Sequence, residues 1–317
     1  MPNHEENTRL PVTVQIVNAF TLNGTGGNPA GVVLDADALD ESTMQSIAAQ
    51  AGLSETAFVS RSATEGARLD FFTPNRRIAH CGHATVAAFA LMRSEGRIGD
   101  GLTSKQTVDG PRQIIVRDGT VFMEQRAPRY VAQADWTRSE VTQATVLSSL
   151  GLSADQLDAR GAPQVVDTGN RFLLIAVASS TDLAAIVPDQ ETIARISEAL
   201  DVAGFYVFAT TSGSGFAHAT TRMFAPRYGI PEESATGMAA GPLACMLHDI
   251  FGDRRANFVI EQGRFMAPPS VSRIFVDLEI DGGRIKSLLA GGEAHVVRAM
   301  RVTPEPSLVG GHPSVSA

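Results

Sequence analysis

A single glutamate is the first candidate for chemistry in this chain. Glu55 follows Gly52 and lies at the start of a predicted strand, in the run Leu53–Phe58, with apolar residues close by. Burial among apolar groups raises the pKa of a carboxyl group toward the working pH, which suits proton transfer to and from carbon. The alternative is a solvated glutamate at the end of a strand, without a chemical role.

Two glycine-containing turns are candidate anion-binding sites. Cys81-Gly82-His83 precedes one long apolar segment, and Glu233–Gly237 precedes another. The first turn of a helix leaves backbone N–H groups unpaired, and together with the helix dipole they bind carboxylate or phosphate. Two such turns facing one cleft would hold a small acid from both sides. The alternative is that these glycines serve only tight turns and close packing.

The two apolar segments after these turns predict buried helices. His83–Met92 has no charged side chain (the histidine is taken as neutral), and Thr236–Leu247 is equally apolar. A helix that is apolar on all sides must be covered on all sides, and the sequence offers mostly short strands to cover it. We therefore expect a curved sheet around one buried helix, formed twice. Pro242 predicts a kink or a late start in the second helix.

The chain contains an internal duplication, because motifs of the first half return in the same order in the second. The matched pairs are Gly27-Asn28-Pro29 with Gly169-Asn170-Arg171, Phe72-Thr73-Pro74 with Phe224-Ala225-Pro226, and Ala84-Thr85 with Ala235-Thr236. At the position of Glu55 the second copy has Val202–Gly204 and no carboxylate. One cleft between two domains needs only one general base, so this asymmetry is consistent with a function for Glu55.

The duplication predicts an α+β fold with two similar domains. We place them at residues 11–127 and 128–291, separated by the polar segment 127–135, and a strand at about 292–303 could return to the first domain. A chain of 317 residues is long enough for two such domains.

Composition excludes several classes of function. The formal net charge is −8 and there is no run of Lys or Arg, so neither nucleic acid nor an anionic membrane is expected as a partner. No apolar stretch approaches the roughly 18 residues of a membrane span. Two cysteines without pair spacing are typical of a reducing cytoplasm. Because the histidines do not cluster with carboxylates or thiols, we predict no metal site.

Four motifs resemble the PhzF family of phenazine-biosynthesis-like isomerases, which belongs to the diaminopimelate epimerase-like superfamily. They are GNPAGVV (27–33), SETAFV (54–59), FTP followed by CGHATVA (81–87), and FAPRYGIPEESATGMAAGPLA (224–244). The resemblance extends from about Val12 to Val302. It implies two α/β domains, each a barrel-like sheet around a central helix, with the active site between them. It also implies a homodimer, no cofactor, and a proton shift on a small carboxylic or amino acid.

The resemblance also implies roles for individual residues. Glu55 takes the position of the acid/base that shuttles the proton, and His83 and Glu233 take the positions of two further catalytic residues. The implied substrate-binding residues are Asn28, Ser54, Gly82, Ala235, Thr236 and Gly237.

Three positions depart from the pattern of the family. Glu233 stands where Asp is usual and extends the carboxylate by about one methylene. Ser234 replaces a proline and loosens the turn, and Met238 replaces a serine whose hydroxyl could hold a substrate carboxylate. These departures leave the substrate open.

Two other functions remain possible on the sequence. Related epimerases and racemases use two thiols across the cleft, and Cys81 has the matching context, since a thiol at a helix N-terminus has a lowered pKa. The partner thiol would lie near Ser234, where the chain has none, and Cys245 is interpreted as a core residue. The second alternative is a non-catalytic protein that binds small acids.

Overall fold

A computed structural model describes residues 10–131, 136, 141–210 and 215–304. Of the predicted connecting segment 127–135, residues 132–135 lie outside the described part. The first-half strands are β1 Val12–Ala19, β2 Asn28–Val33, β3 Thr56–Ser60, β4 Ala67–Phe72, β5 Arg77–Ile78, β6 Gly101–Thr107, β7 Gly110–Arg117 and β8 Thr120–Arg126. The later strands are β9 Arg129–Val131, β10 Gln164–Asp167, β11 Arg171–Ala176, β12 Phe205–Ala209, β13 Ala219–Ala225, β14 Ile230–Glu233, β15 Asn257–Gln262, β16 Ser272–Asp281, β17 Arg284–Gly292 and β18 Ala294–Val302.

The described residues form six α-helices, four of them 11 to 13 residues long. They are α1 Glu41–Ala51, α2 Gly82–Ser94, α3 Gln143–Ser148, α4 Ser180–Ala184, α5 Gln190–Leu200 and α6 Gly237–Asp249, with 3-10 turns at Ala36–Ala38, Ala154–Gln156 and Pro226–Tyr228. Within the described residues, none of these helices has both the length and the apolar character that a membrane span requires. The predicted α+β fold class is confirmed.

Strand pairing follows one scheme in both halves. In the first half β2 and β3 are parallel, β3 and β4 antiparallel, and β4 and β6 parallel, and β6, β7 and β8 form an antiparallel meander. Strands β11, β12, β13, β15, β16 and β17 repeat this scheme in the same order. Strand β17 then pairs with β8, and β18 returns to pair with β1. The exact division into two domains stays a prediction.

The two apolar helices lie inside these sheets. Helix α2 contacts β1, β2, β3 and β18 and also β8, so the strands must curve around it. Helix α6 contacts β10, β11, β16 and β17 in the same way. Phe89 of α2 and Leu243 of α6 are fully buried. Of the kink or late start predicted for the second helix, the late start is wrong, because α6 begins at Gly237 and continues through Pro242, and the kink stays a prediction.

Candidate active site

The first turns of α2 and α6 face each other. A Cβ atom at Gly82, the first residue of α2, would lie 3.3 Å from Met238 Cγ and 3.3 Å from Met123 Cε. A Cβ atom at Gly237 would lie 2.8 Å from the ring of Phe20. Both helix starts therefore have contact surfaces that a side chain would disturb, which is a physical reason for glycine at these two positions.

His83 lies between two carboxyl groups that come from different halves of the chain. Its Nε2 atom is 3.2 Å from Glu55 Oε2, and its Nδ1 atom is 3.4 Å from Glu233 Oε1. The three side chains are 4 %, 10 % and 14 % exposed for His83, Glu55 and Glu233, so all of them are largely shielded from water. The structure thus brings together Glu55, His83 and Glu233, and the fourth candidate, Cys81, lies against the same histidine.

Glu55 is positioned by the strand that follows it. Its carbonyl oxygen accepts a hydrogen bond from Gly31 N at 2.9 Å, which extends the pairing of β2 and β3. Its Oε2 atom is buried and has no hydrogen-bond donor in line with it among the described residues. The polar contact of this oxygen is the approach of His83 Nε2 at 3.2 Å, which lacks the alignment of a good hydrogen bond.

Glu233 is held from both halves. Asn28 Nδ2, at the start of β2, donates to Glu233 Oε1 at 2.9 Å and to the Ala235 carbonyl at 3.1 Å. The Thr236 hydroxyl donates to Glu233 Oε2. Asn28, Ala235 and Thr236 were predicted to bind substrate. In the structure they form the hydrogen-bond network around the carboxyl group of Glu233.

Gln262 is a further member of the site that the sequence did not indicate. Its Nε2 atom donates to the Glu233 carbonyl at 2.7 Å, and its Oε1 atom accepts from Thr236 N at 3.0 Å. The Tyr206 hydroxyl donates a hydrogen bond to the same Oε1 atom at 3.0 Å. The available signal was a polar pair, Glu261-Gln262, at the end of an otherwise apolar strand.

The remaining predicted residues differ in their surroundings. Ser54 is exposed, and Ser234 is buried with its carbonyl accepting from Ser272 Oγ at 2.9 Å. Met238 is half-buried and packs over Gly82. The methionine that replaces a serine therefore lies directly at the meeting point of the two helices.

The protonation states of Glu55 and His83 are coupled. Burial raises the pKa of Glu55, but the bonding and charge of His83, helped by Ser54, outweigh burial, and the pKa lies below 4.5. Burial lowers the pKa of His83, but the sulfur of Cys81 and the two carboxyl groups raise it well above 6.5. The expected upward shift of Glu55 is thus wrong, because a base beside the carboxyl group outweighs its desolvation.

Cys81 caps α2 and lies against the same histidine. Its Sγ atom is 3.6 Å from His83 Nδ1, and the residue is 7 % exposed. Burial raises the pKa of the Cys81 thiol, and the opposing effect of His83 does not cancel this rise. The expectation of a lowered thiol pKa is wrong, since burial outweighs the helix N-terminus here.

The same cluster offers three atoms of types that bind metals. One donor atom each from Glu55, Cys81 and His83 lies within 4.8 Å of the others. The expectation that the histidines do not cluster with carboxylates or thiols is therefore wrong at His83, where Glu55 and Cys81 meet it. No ligand atom of Glu233 belongs to this group of three, and the absence of a metal site stays a prediction.

A cavity of about 950 Å³ lies beside the helix starts. It is lined from the first half by His80, Lys105, Met123 and Gln125, and from the second by Thr168, Met238 and Lys286, among others. Met123 and Met238 line the cavity and also face Gly82. The cavity therefore borders the point where both halves contribute to the site.

Comparison with known proteins gives the family. The chain matches the PhzC-PhzF family, described as phenazine biosynthesis-like protein, over residues 17–299. The chain belongs to the PhzC-PhzF family. Among curated relatives of this PhzC-PhzF protein, an uncharacterized isomerase of Deinococcus radiodurans is 35% identical over 295 residues, which are 89% of this chain and 92% of that protein.

Two further relatives carry more informative names. Trans-2,3-dihydro-3-hydroxyanthranilate isomerase of Pseudomonas aeruginosa is 30% identical over 236 residues, 73% of this chain and 78% of that enzyme. A PhzF-family phenazine biosynthesis protein of Bacillus anthracis has a TM-score of 0.82 at 26% identity, covering 92% of this PhzC-PhzF protein and 99% of that chain.

A likeness in fold alone extends to a probable proline racemase of Agrobacterium radiobacter, with a TM-score of 0.55 at 12% identity. The predicted resemblance to the PhzF family and to an epimerase-like fold is confirmed. The relatives indicate that this PhzC-PhzF protein is an isomerase or epimerase.

Proposed function

We propose that this protein is a cofactor-independent isomerase that moves a proton between carbon atoms of a small acid bound between its two halves. The observation that carries the proposal is the pair of carboxyl groups on either side of His83, at 3.2 Å and 3.4 Å. An imidazole between two carboxylates can carry a positive charge in a buried site, and it keeps a neighbouring carboxylate ionised at neutral pH.

Glu55 is the proposed base. Its lowered pKa means that it is ionised at neutral pH, and its buried Oε2 atom lies 3.2 Å from His83 Nε2 without an aligned hydrogen bond. The carboxylate removes a proton from a carbon next to an unsaturated acid and becomes a carboxylic acid. It then returns the proton to another carbon of the conjugated system, so that no net proton is consumed. General acid–base catalysis of this kind contributes about 10²–10⁴-fold.

His83 is the proposed electrostatic partner. As an imidazolium, it places a positive charge 3.2 Å from Glu55 Oε2, and this charge would stabilise the negative charge that the substrate gains when its proton passes to Glu55. Glu233 holds the other ring nitrogen and is itself held by Asn28 and Thr236. The imidazole is thereby fixed in orientation without taking part in the carbon bond changes.

We propose that the facing helix starts at Gly82 and Gly237 bind the substrate carboxylate through their unpaired N–H groups.

A homodimer in the cytoplasm remains our prediction for the assembly and location. The racemase alternative needs Cys81 as a thiolate, and burial raises its pKa. A non-catalytic binder would keep the cleft and show no exchange of carbon-bound hydrogen.

Deuterium exchange tests the proposal even while the substrate is unidentified. A panel of small unsaturated carboxylic acids and amino acids is incubated with the protein in D₂O and followed by proton NMR. We expect the wild type to exchange a carbon-bound hydrogen of at least one acid, and Glu55→Gln to lower the rate by at least about 10²-fold. Glu191→Gln, an exposed residue of α5, is the matched control and should exchange at the wild-type rate.

Exchange by Glu55→Gln at the wild-type rate would overturn the role of Glu55. Absence of exchange with every acid, combined with ligand binding by the wild type, would favour the non-catalytic alternative.

A further inference from the structure

Lys105 is a fully buried lysine that the proposed mechanism does not use. It lies on β6 with 0% of its surface exposed. Its Nζ atom is 3.0 Å from His80 Nδ1 and donates to Thr85 Oγ1 at 2.7 Å, and it lies 5.2 Å from the centre of the Phe71 ring. Among the described residues, no carboxylate lies within ion-pair distance of it.

A buried ammonium group without an anion beside it is energetically unfavourable. Burial lowers the pKa of Lys105 to about 7, with Arg112 lowering it further and Cys81 and Asp109 opposing the change. Buried charges are normally paired, or else the group loses its charge. Lys105 is therefore near the balance between the neutral and charged forms, and an anion placed beside it would stabilise the charged form.

The position of Lys105 indicates where such an anion would bind. Lys105 lines the cavity of about 950 Å³, as do Met123 and Met238, which both face the start of α2 at Gly82. This volume is within the range of small-molecule sites. Thr85, which receives the hydrogen bond from Lys105, donates in turn to the Cys81 carbonyl at 2.6 Å. Lys105 thus lies in the wall of the cavity next to the turn that carries His83, and because none of its surface is exposed, an anion reaches the Nζ atom only when a neighbouring side chain moves aside.

We propose that Lys105 binds an anionic group of the substrate, a carboxylate or a phosphate, in this cavity. As a statement about substrate, this inference rests on the proposed isomerase function, whereas the anion site itself rests on Lys105 and the cavity. The ammonium group would supply the charge-assisted hydrogen bond that Met238, in place of a hydroxyl, cannot supply. Substrates would accordingly be acids, and their uncharged amides or alcohols would bind poorly.

The lysine content of the chain makes this directly measurable. The sequence has only two lysines, Lys105 and Lys286, and Lys286 is an exposed residue of the same cavity. Protein labelled with ¹³C at the lysine ε-carbon therefore gives two side-chain signals, which Lys286→Arg assigns. Sodium acetate and inorganic phosphate are titrated separately against sodium chloride of equal ionic strength, so that carboxylate and phosphate are distinguished.

We expect the Lys105 signal to shift saturably with acetate, with phosphate or with both, and its apparent pKa to rise from about 7 toward the ordinary lysine value of 10.5. The Lys286 signal should follow ionic strength alone. A Lys105 signal that does not respond to either anion, or one that only matches the response of Lys286, overturns the inference.

Variants give a second measurement. An anion that binds the folded protein raises its melting temperature. For the same rise, we expect Lys105→Met to need at least about tenfold more of that anion than the wild type. Lys286→Met is the control and should respond like the wild type. An unchanged anion dependence in folded Lys105→Met contradicts the inference, and if that variant does not fold, the signals of the wild type decide.

The failure of this inference and the failure of the proposed function are distinguishable. Glu55→Gln should lose hydrogen exchange but keep the response of Lys105 to the anion. Exchange by the wild type without a Lys105 response refutes the anion site alone. A Lys105 response without exchange of any acid refutes the isomerase and leaves an anion-binding protein.

Discussion

At the scale of single residues, the site depends on one imidazole that contacts groups from three segments of the chain. Glu55, Cys81 and Glu233 each lie within 4 Å of His83. The result is a separation of pKa values, with the carboxyl group of Glu55 lowered and the imidazole raised. A pair with this order of pKa values exists as carboxylate and imidazolium over a wide range around neutral pH.

The pH dependence of exchange should follow these two shifts. Activity should rise with pH as Glu55 ionises, at a pKa below 4.5, and should fall again only as His83 loses its proton, well above 6.5. The ion pair contributes stability in the same window, because the lowered group loses it toward acid and the raised group toward alkali. The rate of deuterium exchange measured from acid to alkaline pH gives both limbs.

His83→Asn separates the two contributions. Without the imidazole, only the smaller effect of Ser54 opposes burial at Glu55, so the acid limb should move to higher pH and the alkaline limb should disappear. The pKa of Glu55 would then be raised by burial, as the sequence analysis predicts. An acid limb at unchanged or lower pH in His83→Asn would show that His83 does not control the ionisation of Glu55.

The two cysteines provide a test of the racemase alternative. If the base is Glu55, Cys81→Ser should keep exchange within about tenfold of the wild type, or roughly 1.4 kcal/mol of barrier, because the buried thiol is protonated at neutral pH. Cys245→Ser, at the fully buried second cysteine, controls for the general effect of a hydroxyl in the core. Loss of exchange in Cys81→Ser but not in Cys245→Ser would favour the thiol as base.

Sequence reasoning found Glu55, His83 and Glu233 but neither Gln262 nor the electrostatics of the site. Glu55 and His83 were accessible because both lie in recognisable motifs. The direction of the pKa shift of Glu55 depends on its contact with His83, which is 28 positions away along the chain. No local sequence pattern predicts that contact. Lys105 was not found for a related reason: the strand Gly101–Thr107 is polar in composition, so nothing in it predicts a fully buried ammonium group.

At the scale of elements, the two apolar helices determine where the site forms. Helix α2 is buried along nearly its whole length, and its first turn contributes Gly82 and His83. The burial of α2 was predictable because it lacks a polar face. The uninterrupted course of α6 through Pro242 was not predictable from propensity, since tertiary packing can hold a helix that proline disfavours.

Truncation of a core side chain in α2 should show how much the helix depends on its enclosure. Phe89 is 0% exposed, so Phe89→Ala should lower the free energy of unfolding by about 3–5 kcal/mol. Phe275→Ala, at a half-buried position of β16, is the matched control and should cost less. Denaturant unfolding of both variants measures the difference, and equal losses would contradict the buried position of Phe89.

At the scale of the whole molecule, the two halves are joined at the site as well as by strand pairing. Strand β8 pairs with β17, and Gln125 of β8 donates to the Gly237 carbonyl at 3.0 Å. Asn28 of the first half binds Glu233 and Ala235 of the second. The proposed acid/base set would be complete only when both halves are in register, because Glu55 and His83 come from one half and Glu233 from the other.

Asn28→Asp should therefore destabilise the protein more than the same change elsewhere. The variant replaces a buried donor by a second carboxylate facing Glu233, and each buried group left without a partner costs about 1–3 kcal/mol. Asn257→Asp is the matched control, because Asn257 also donates to a carboxylate, Asp277 Oδ1 at 2.7 Å, but is exposed and lies within one half. The free energy of unfolding of Asn257→Asp should fall by less than about 1 kcal/mol.

Denaturant unfolding gives the stabilities of both variants, and deuterium exchange gives their activities. Only Asn28→Asp should also lose exchange, since displacement of Glu233 removes the support of His83. If both variants lose equal stability and keep exchange, the contact at Asn28 does not hold the two halves in register, and the single cleft would depend on strand pairing alone.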